Sequence, residues 1–126
     1  MTAMTWKPTQ QMVAIAMAAG LALSAGQAQA HTHLVGATPA ANAVVPAPNR
    51  ITLHFSEKLE PAFSGLDLVR SDGSKVAAEA AVPPDDRKAI VAVIKTPLVA
   101  GIYRVMWRNV SADGHRIKGD FSFTVR

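Results

Sequence analysis

Short stretches of strict apolar–polar alternation, separated by Gly, Pro and Asp, organise the chain from residue 51 onward. In Ile51-Thr-Leu-His-Phe55, Ile51, Leu53 and Phe55 fall on one face and His54 on the other. In Ile102–Val110, Tyr103, Val105 and Trp107 share a face while Arg104 and Arg108 take the opposite one. In Phe121–Arg126, Phe121, Phe123 and Val125 oppose Ser122 and Thr124. Successive side chains of an extended chain point to opposite sides, so this period predicts strands with one buried face. Gly65–Arg70 is a further short run, and Ser71-Asp72-Gly73-Ser74 after it carries the Asp-Gly pair that favours a tight hairpin. Lys75–Val82 is then the returning strand, Pro83–Asp86 a turn, and the nearly all-apolar Ala89–Ile94 a strand buried on both faces. Pro39, Pro46 and Pro48 make residues 38–49 a stiff, irregular connection. No sustained helical period occurs after residue 30. About seven strands with turn signals roughly every 8–12 residues predict an all-β fold, a Greek-key β-barrel or an immunoglobulin-like sandwich.

The first thirty residues follow different rules. Lys7 is their only charged side chain, an apolar run spans Met12–Leu23, and the small-residue site Ala28-Gln29-Ala30 closes it. The run falls short of the ~20 residues that a membrane-spanning helix needs. The pattern is that of a cleaved secretory signal over residues 1–30, with one domain over 31–126 and an exported destination. A rival cut after Ala28 leaves Gln29 first; a cut after Ala30 leaves His31 first.

Charge and composition narrow the function classes. The chain is net +4, of which Lys7 leaves with the signal, and the remaining basic residues are scattered with no run longer than Arg87-Lys88. Nucleic-acid binders cluster their basic residues on one face or stripe, so that class is excluded. There is no cysteine. That removes disulfides, thiolate metal sites and dithiol redox chemistry from an exported protein that has access to all three.

Four histidines remain: His31, His33, His54 and His115. His54, on the polar side of its strand, reads as a surface residue. His115 lies in Val110-Ser-Ala-Asp-Gly-His115, between the two best-patterned strands, where a turn lets Asp113 and His115 aim at one centre. The same Asp-Gly pair is also ordinary turn chemistry. A terminal His31 offers a metal both its α-amine and its imidazole. One amine, two imidazoles and a carboxylate form a sulfur-free donor set that suits tetragonal Cu(II), with Ni(II) or Zn(II) behind it. His33 opens a rival, because a free terminus with histidine third also binds Cu(II) through the amine, two deprotonated amides and that third imidazole.

The segments His31-Thr-His-Leu-Val, Thr38-Pro-Ala-Ala-Asn-Ala43, Leu53-His-Phe-Ser-Glu57, Gly101-Ile-Tyr-Arg-Val-Met-Trp107, Val110-Ser-Ala-Asp-Gly-His115 and Lys118-Gly-Asp-Phe-Ser-Phe-Thr-Val125 occur in order along the chain. Together they resemble the CopC-like periplasmic copper-resistance domain, including its YobA-like branch. The resemblance implies a cupredoxin-like β fold with a Cu(II) site at one end. It implies His31, Asp113 and His115 as metal ligands and Glu57 as a carboxylate behind them, while His33 remains a candidate accessory ligand or plain surface. Some members carry a methionine-rich Cu(I) segment, whereas residues 38–50 here contain no methionine and no histidine. Met106 is the one methionine after residue 30. Cu(I) favours soft sulfur ligands, so a Cu(II)-only member is expected.

The expected function is a monomeric, non-enzymatic periplasmic Cu(II) carrier or sequestration factor, with copper as its partner and any inner-membrane copper transport protein a separate chain. Two alternatives remain open at this point. One is a copper-dependent oxidative enzyme with a histidine-brace centre; the other is a metal-free β-sandwich interaction module.

Overall fold

In the computed structural model, which describes residues 32–126, the alternating segments become nine β-strands. They are β1 (Leu34–Thr38), β2 (Val44–Val45), β3 (Arg50–Phe55), β4 (Gly65–Arg70), β5 (Lys75–Val76), β6 (Ala78–Ala81), β7 (Ala89–Ile94), β8 (Gly101–Val110) and β9 (Arg116–Val125). One sheet has the order β1-β3-β7-β6 and the other β2-β9-β8-β4-β5. The architecture is a two-layer sandwich, and the expected all-β class holds. Seven strands have four residues or more; β2 and β5 are two-residue additions.

The inner faces follow the alternation. Ile51, Leu53 and Phe55 on β3, with Ile90 and Ala92 on β7, meet Leu66 and Leu68 on β4, Tyr103, Val105 and Trp107 on β8, and Phe123 and Val125 on β9. Phe55 packs edge-on against Trp107 at 5.1 Å between ring centroids, joining the two sheets. Tyr103 stacks on Phe123 at 5.8 Å and donates its hydroxyl to Val99 O at 2.8 Å. Each such aromatic, once buried, contributes about 1.5–3 kcal/mol through its area alone.

Four sequence expectations are corrected. Lys75–Val82 does not return as one strand. Lys75–Val76 pairs with β4 in one sheet, and Ala78–Ala81 pairs with β7 in the other. The segment changes sheets because Val76 is buried against one layer while the small Ala78 and Ala80 pack on the core from the other. Second, β7 is not buried on both faces: Val93 is 39% exposed, because a two-layer sandwich leaves each sheet one wet side. Third, residues 38–49 are not wholly irregular. Asn42 takes φ +64°, its N–H donates to Ser122 O at 2.7 Å, and Val44–Val45 then pair in parallel with Thr124–Val125.

Fourth, β9 begins five residues earlier than the apolar pattern suggests, at Arg116. Gly119 conceals its first half, since an inward glycine shows no apolar mark. Gly119 pairs with Trp107 across β8–β9, and a Cβ there would lie 2.7 Å from Trp107 Cε2. The indole fills the place of the missing side chain.

Among the described residues, two inward polar side chains have no partner. Thr32 Oγ1 and both amide atoms of Asn109 are buried without a hydrogen bond. An amide left unpaired in the core costs about 1–3 kcal/mol, and a like-shaped apolar group removes that cost. Asn109→Leu is therefore expected to stabilise the fold by about 1 kcal/mol, which raises Tm by roughly 4–8 °C for a domain of this size. Thermal unfolding followed by circular dichroism checks this, and a lowered Tm would refute it.

Candidate metal centre

The β8–β9 loop is held at both ends before any side chain is considered. Ser111 N–H donates to His115 O at 2.9 Å, and Gly114 N–H donates to Ser111 O at 2.8 Å. Gly114 has φ +91°, which a residue with a Cβ rarely adopts. The loop is tied to the segment after β3 by a bridge between Leu59 and Ser111. Ala112 N–H also donates to Lys58 O at 3.0 Å, and Glu60 N–H to Val110 O at 2.8 Å.

On this frame the Asp113 carboxylate gathers the loop's polar groups. Its Oδ1 accepts from the buried Ser111 hydroxyl and from His115 N–H at 3.3 Å. It lies 2.9 Å from His115 Nδ1, and the two side chains are about half exposed, at 49% and 57%. The sequence placed these two groups in one turn; the structure brings them into direct contact. That separation is an ordinary hydrogen-bond distance, and the imidazole is one of the groups that keep the carboxylate ionised.

Glu57 is brought to the same end of the sandwich. It lines an open depression of about 340 Å³ together with Lys58, Lys88, Ser111, Ala112 and Asp113. His33 is clamped nearby through its backbone: its N–H donates to Ser56 Oγ at 3.0 Å, and its carbonyl accepts from Ser56 N–H at 3.0 Å. His54 lies on the outer face of β3, its Nδ1 4.0 Å from Asp86 Oδ2. Among the described residues no three His, Asp or Glu side chains converge as a metal site. His31 falls outside the described residues. Ser111 and Ser56 went unnoticed in the sequence. A serine two residues before Asp113 is a recognisable side-chain turn pattern, whereas the Ser56–His33 contact spans 23 residues and leaves no local mark.

Asp113 is held well below the usual carboxylate value of 3.8, at about 2. The Ser111 hydroxyl is the main cause, followed by the His115 imidazole and the His115 N–H. A carboxylate depressed in the folded state supplies stability that is complete above its unfolded value. That stability should therefore persist above about pH 3.8 and be lost as the pH falls toward about 2. The Asp113 carboxyl carbon is expected to titrate by NMR with a midpoint near 2, and Ser111→Ala should move that midpoint upward. An unmoved midpoint would mean that the hydroxyl is not the cause.

Known proteins resemble this chain in sequence and in fold. The CopC domain family model matches residues 34–126. Copper resistance protein C of Pseudomonas syringae pv. tomato is 45% identical over 115 residues, which cover 86% of this chain and 90% of that protein. Protein YobA of Escherichia coli (strain K12) is 39% identical over 99 residues, 77% of this chain and 80% of YobA. The crystal structure of PcoC, a methionine-rich copper resistance protein from Escherichia coli, superimposes with a TM-score of 0.70 at 43% identity. That superposition covers 77% of this chain and all of PcoC. By the family model and these relatives, this chain belongs to the CopC family.

Proposed function

We propose that this chain is a periplasmic copper-resistance protein that binds Cu(II) at the loop end of its sandwich, as carrier or sequestering agent. Residues 1–30 act as the export signal, and removing them exposes His31. The metal is held by the His31 amine and imidazole, the His115 imidazole and the Asp113 carboxylate. The observation that carries this reading is the 2.9 Å approach of Asp113 Oδ1 to His115 Nδ1 in a loop fixed by Ser111 and Gly114. The names of the relatives, copper resistance protein C and PcoC, support copper as the metal.

The clamp on His33 favours the folded site over a terminal tripeptide site. The tripeptide mode needs the His33 amide stripped of its proton and bound to metal, but that N–H is donated to Ser56 Oγ. Residue 31 is two peptide units from this clamp, a reach of about 7 Å, and Ser56 adjoins Glu57, which shares the depression with Asp113. Glu57 serves as a carboxylate behind the ligands. The oxidation state follows from the donors. Met106 is the one methionine among residues 32–126 and lies on the outer face of β8, 44% exposed. Nitrogen and carboxylate oxygen favour Cu(II), and one isolated thioether cannot build a Cu(I) site.

The test is intact-mass measurement of the exported protein followed by competitive Cu(II) titration. The mass is expected to begin at His31, and one extra residue placed before His31 should weaken Cu(II) binding and change its spectrum. His115→Ala should cost about 100-fold or more in affinity, since loss of an outer-shell partner alone costs about 10–100-fold. His54→Ala should be near neutral. Binding should weaken in acid, because the amine and imidazoles must shed protons to bind. If His33→Ala were the most damaging change and His115→Ala harmless, the terminal tripeptide would be the site instead.

A further inference from the structure

Beside the loop lies an open groove of about 570 Å³ whose lining includes Phe63, Ser64, Arg108, Val110, Arg116 and Lys118. It contains three cations and no carboxylate. Arg108 and Lys118 stand directly opposite each other across β8–β9, both exposed. Like charges in that relation repel and weaken a sheet. Arg116 lies two residues before Lys118, and so projects from the same side of β9.

The surrounding carboxylates relieve this repulsion only at Arg108. Asp67 reaches Arg108 at 3.4 Å but is shared with Lys75 at 3.9 Å, and Asp120 is taken by Arg104 at 2.7 Å. No ion pair engages Arg116 or Lys118 among the described residues. At the rim, the single turn Pro61–Phe63 presents Phe63 62% exposed. Val110 and Arg116 are the immediate neighbours of Ser111 and His115, so the groove is continuous with the proposed metal loop.

We infer that this groove is a docking site for an acidic peptide segment of a separate protein, one that places an apolar side chain against Phe63 and its carboxylates between Arg108, Arg116 and Lys118. Charge complementarity selects an acidic partner. Concavity selects a peptide over a bilayer, whose flat surface does not enter a groove. That the docking serves transfer of the metal rests on the copper reading above; the docking itself does not, and metal-free protein tests it.

The probe is an acetylated hexapeptide of alternating glutamate and leucine, titrated into the metal-free chain beginning at His31 and followed by amide NMR shifts. Saturable shifts are expected at residues 62–64, 108–110 and 116–118, weakening as salt shortens the electrostatic range. Lys118→Glu should lower the peptide affinity by about tenfold, since interface charges act on association and its salt dependence. Phe63→Ser should lower it as well, and the lysine–leucine counterpart should not bind. Both variants alter exposed side chains, and Cu(II) affinity should stay within about twofold of the parent. Shifts elsewhere, or shifts indifferent to Lys118→Glu, would overturn the proposal. So would binding to phosphatidylglycerol vesicles, sensitive to Lys118→Glu, in the absence of peptide binding.

Discussion

The indole of Trp107 is the contact on which the loop end of the molecule depends. It meets Phe55 across the sandwich and lies over Gly119 on the neighbouring strand. These two contacts bring β3, β8 and β9 together where the chain leaves β3 toward Ser56 and Glu57 and leaves β8 toward Ser111. Any side chain at position 119 would displace the ring. Loss of the ring would open a cavity, which for a buried aromatic costs about 3–5 kcal/mol. The polar loop gains its geometry from this apolar layer beneath it.

Above that layer the stabilising groups are hydrogen bonds in a small, half-exposed cluster. Ser111 is 2% exposed and gives Asp113 a donor that water does not replace. The imidazole of His115 then has a carboxylate at a set distance rather than a mobile one. An ion pair between two exposed side chains is ordinarily worth ~0–1 kcal/mol because both must be ordered to meet. Here the backbone bonds of the loop and Gly114 have already done much of that ordering.

Much of this was legible in the chain. Tyr103, Val105 and Trp107 alternate with Arg104, Met106 and Arg108 and went inward as expected, as did Phe123 and Val125. The Asp113-Gly114-His115 turn announced a carboxylate and an imidazole in reach of each other, because that proximity is local. The unread parts all depend on pairing between distant residues. Nothing within Lys75–Ala81 says that it will serve two sheets, and Val44–Val45 find β9 only once that strand exists. The first half of β9 was hidden because Gly119 yields its volume to a residue on another strand. The groove beside the loop was equally hidden: Arg108, Arg116 and Lys118 are scattered in sequence and become neighbours only through the β8–β9 register.

The double hydrogen bond between His33 and Ser56 bears on how strongly the proposed site would hold a metal. It anchors the start of the described chain by bonds that owe nothing to copper, while Thr32 is packed away from solvent. In the site proposed above, a donor carried by the residue before Thr32 would be tethered by this clamp rather than recruited from a free tail. Linked ligands gain affinity in proportion to their effective concentration, without a new contact. On that proposal, part of the entropy of chelation would be met by the fold before an ion arrives.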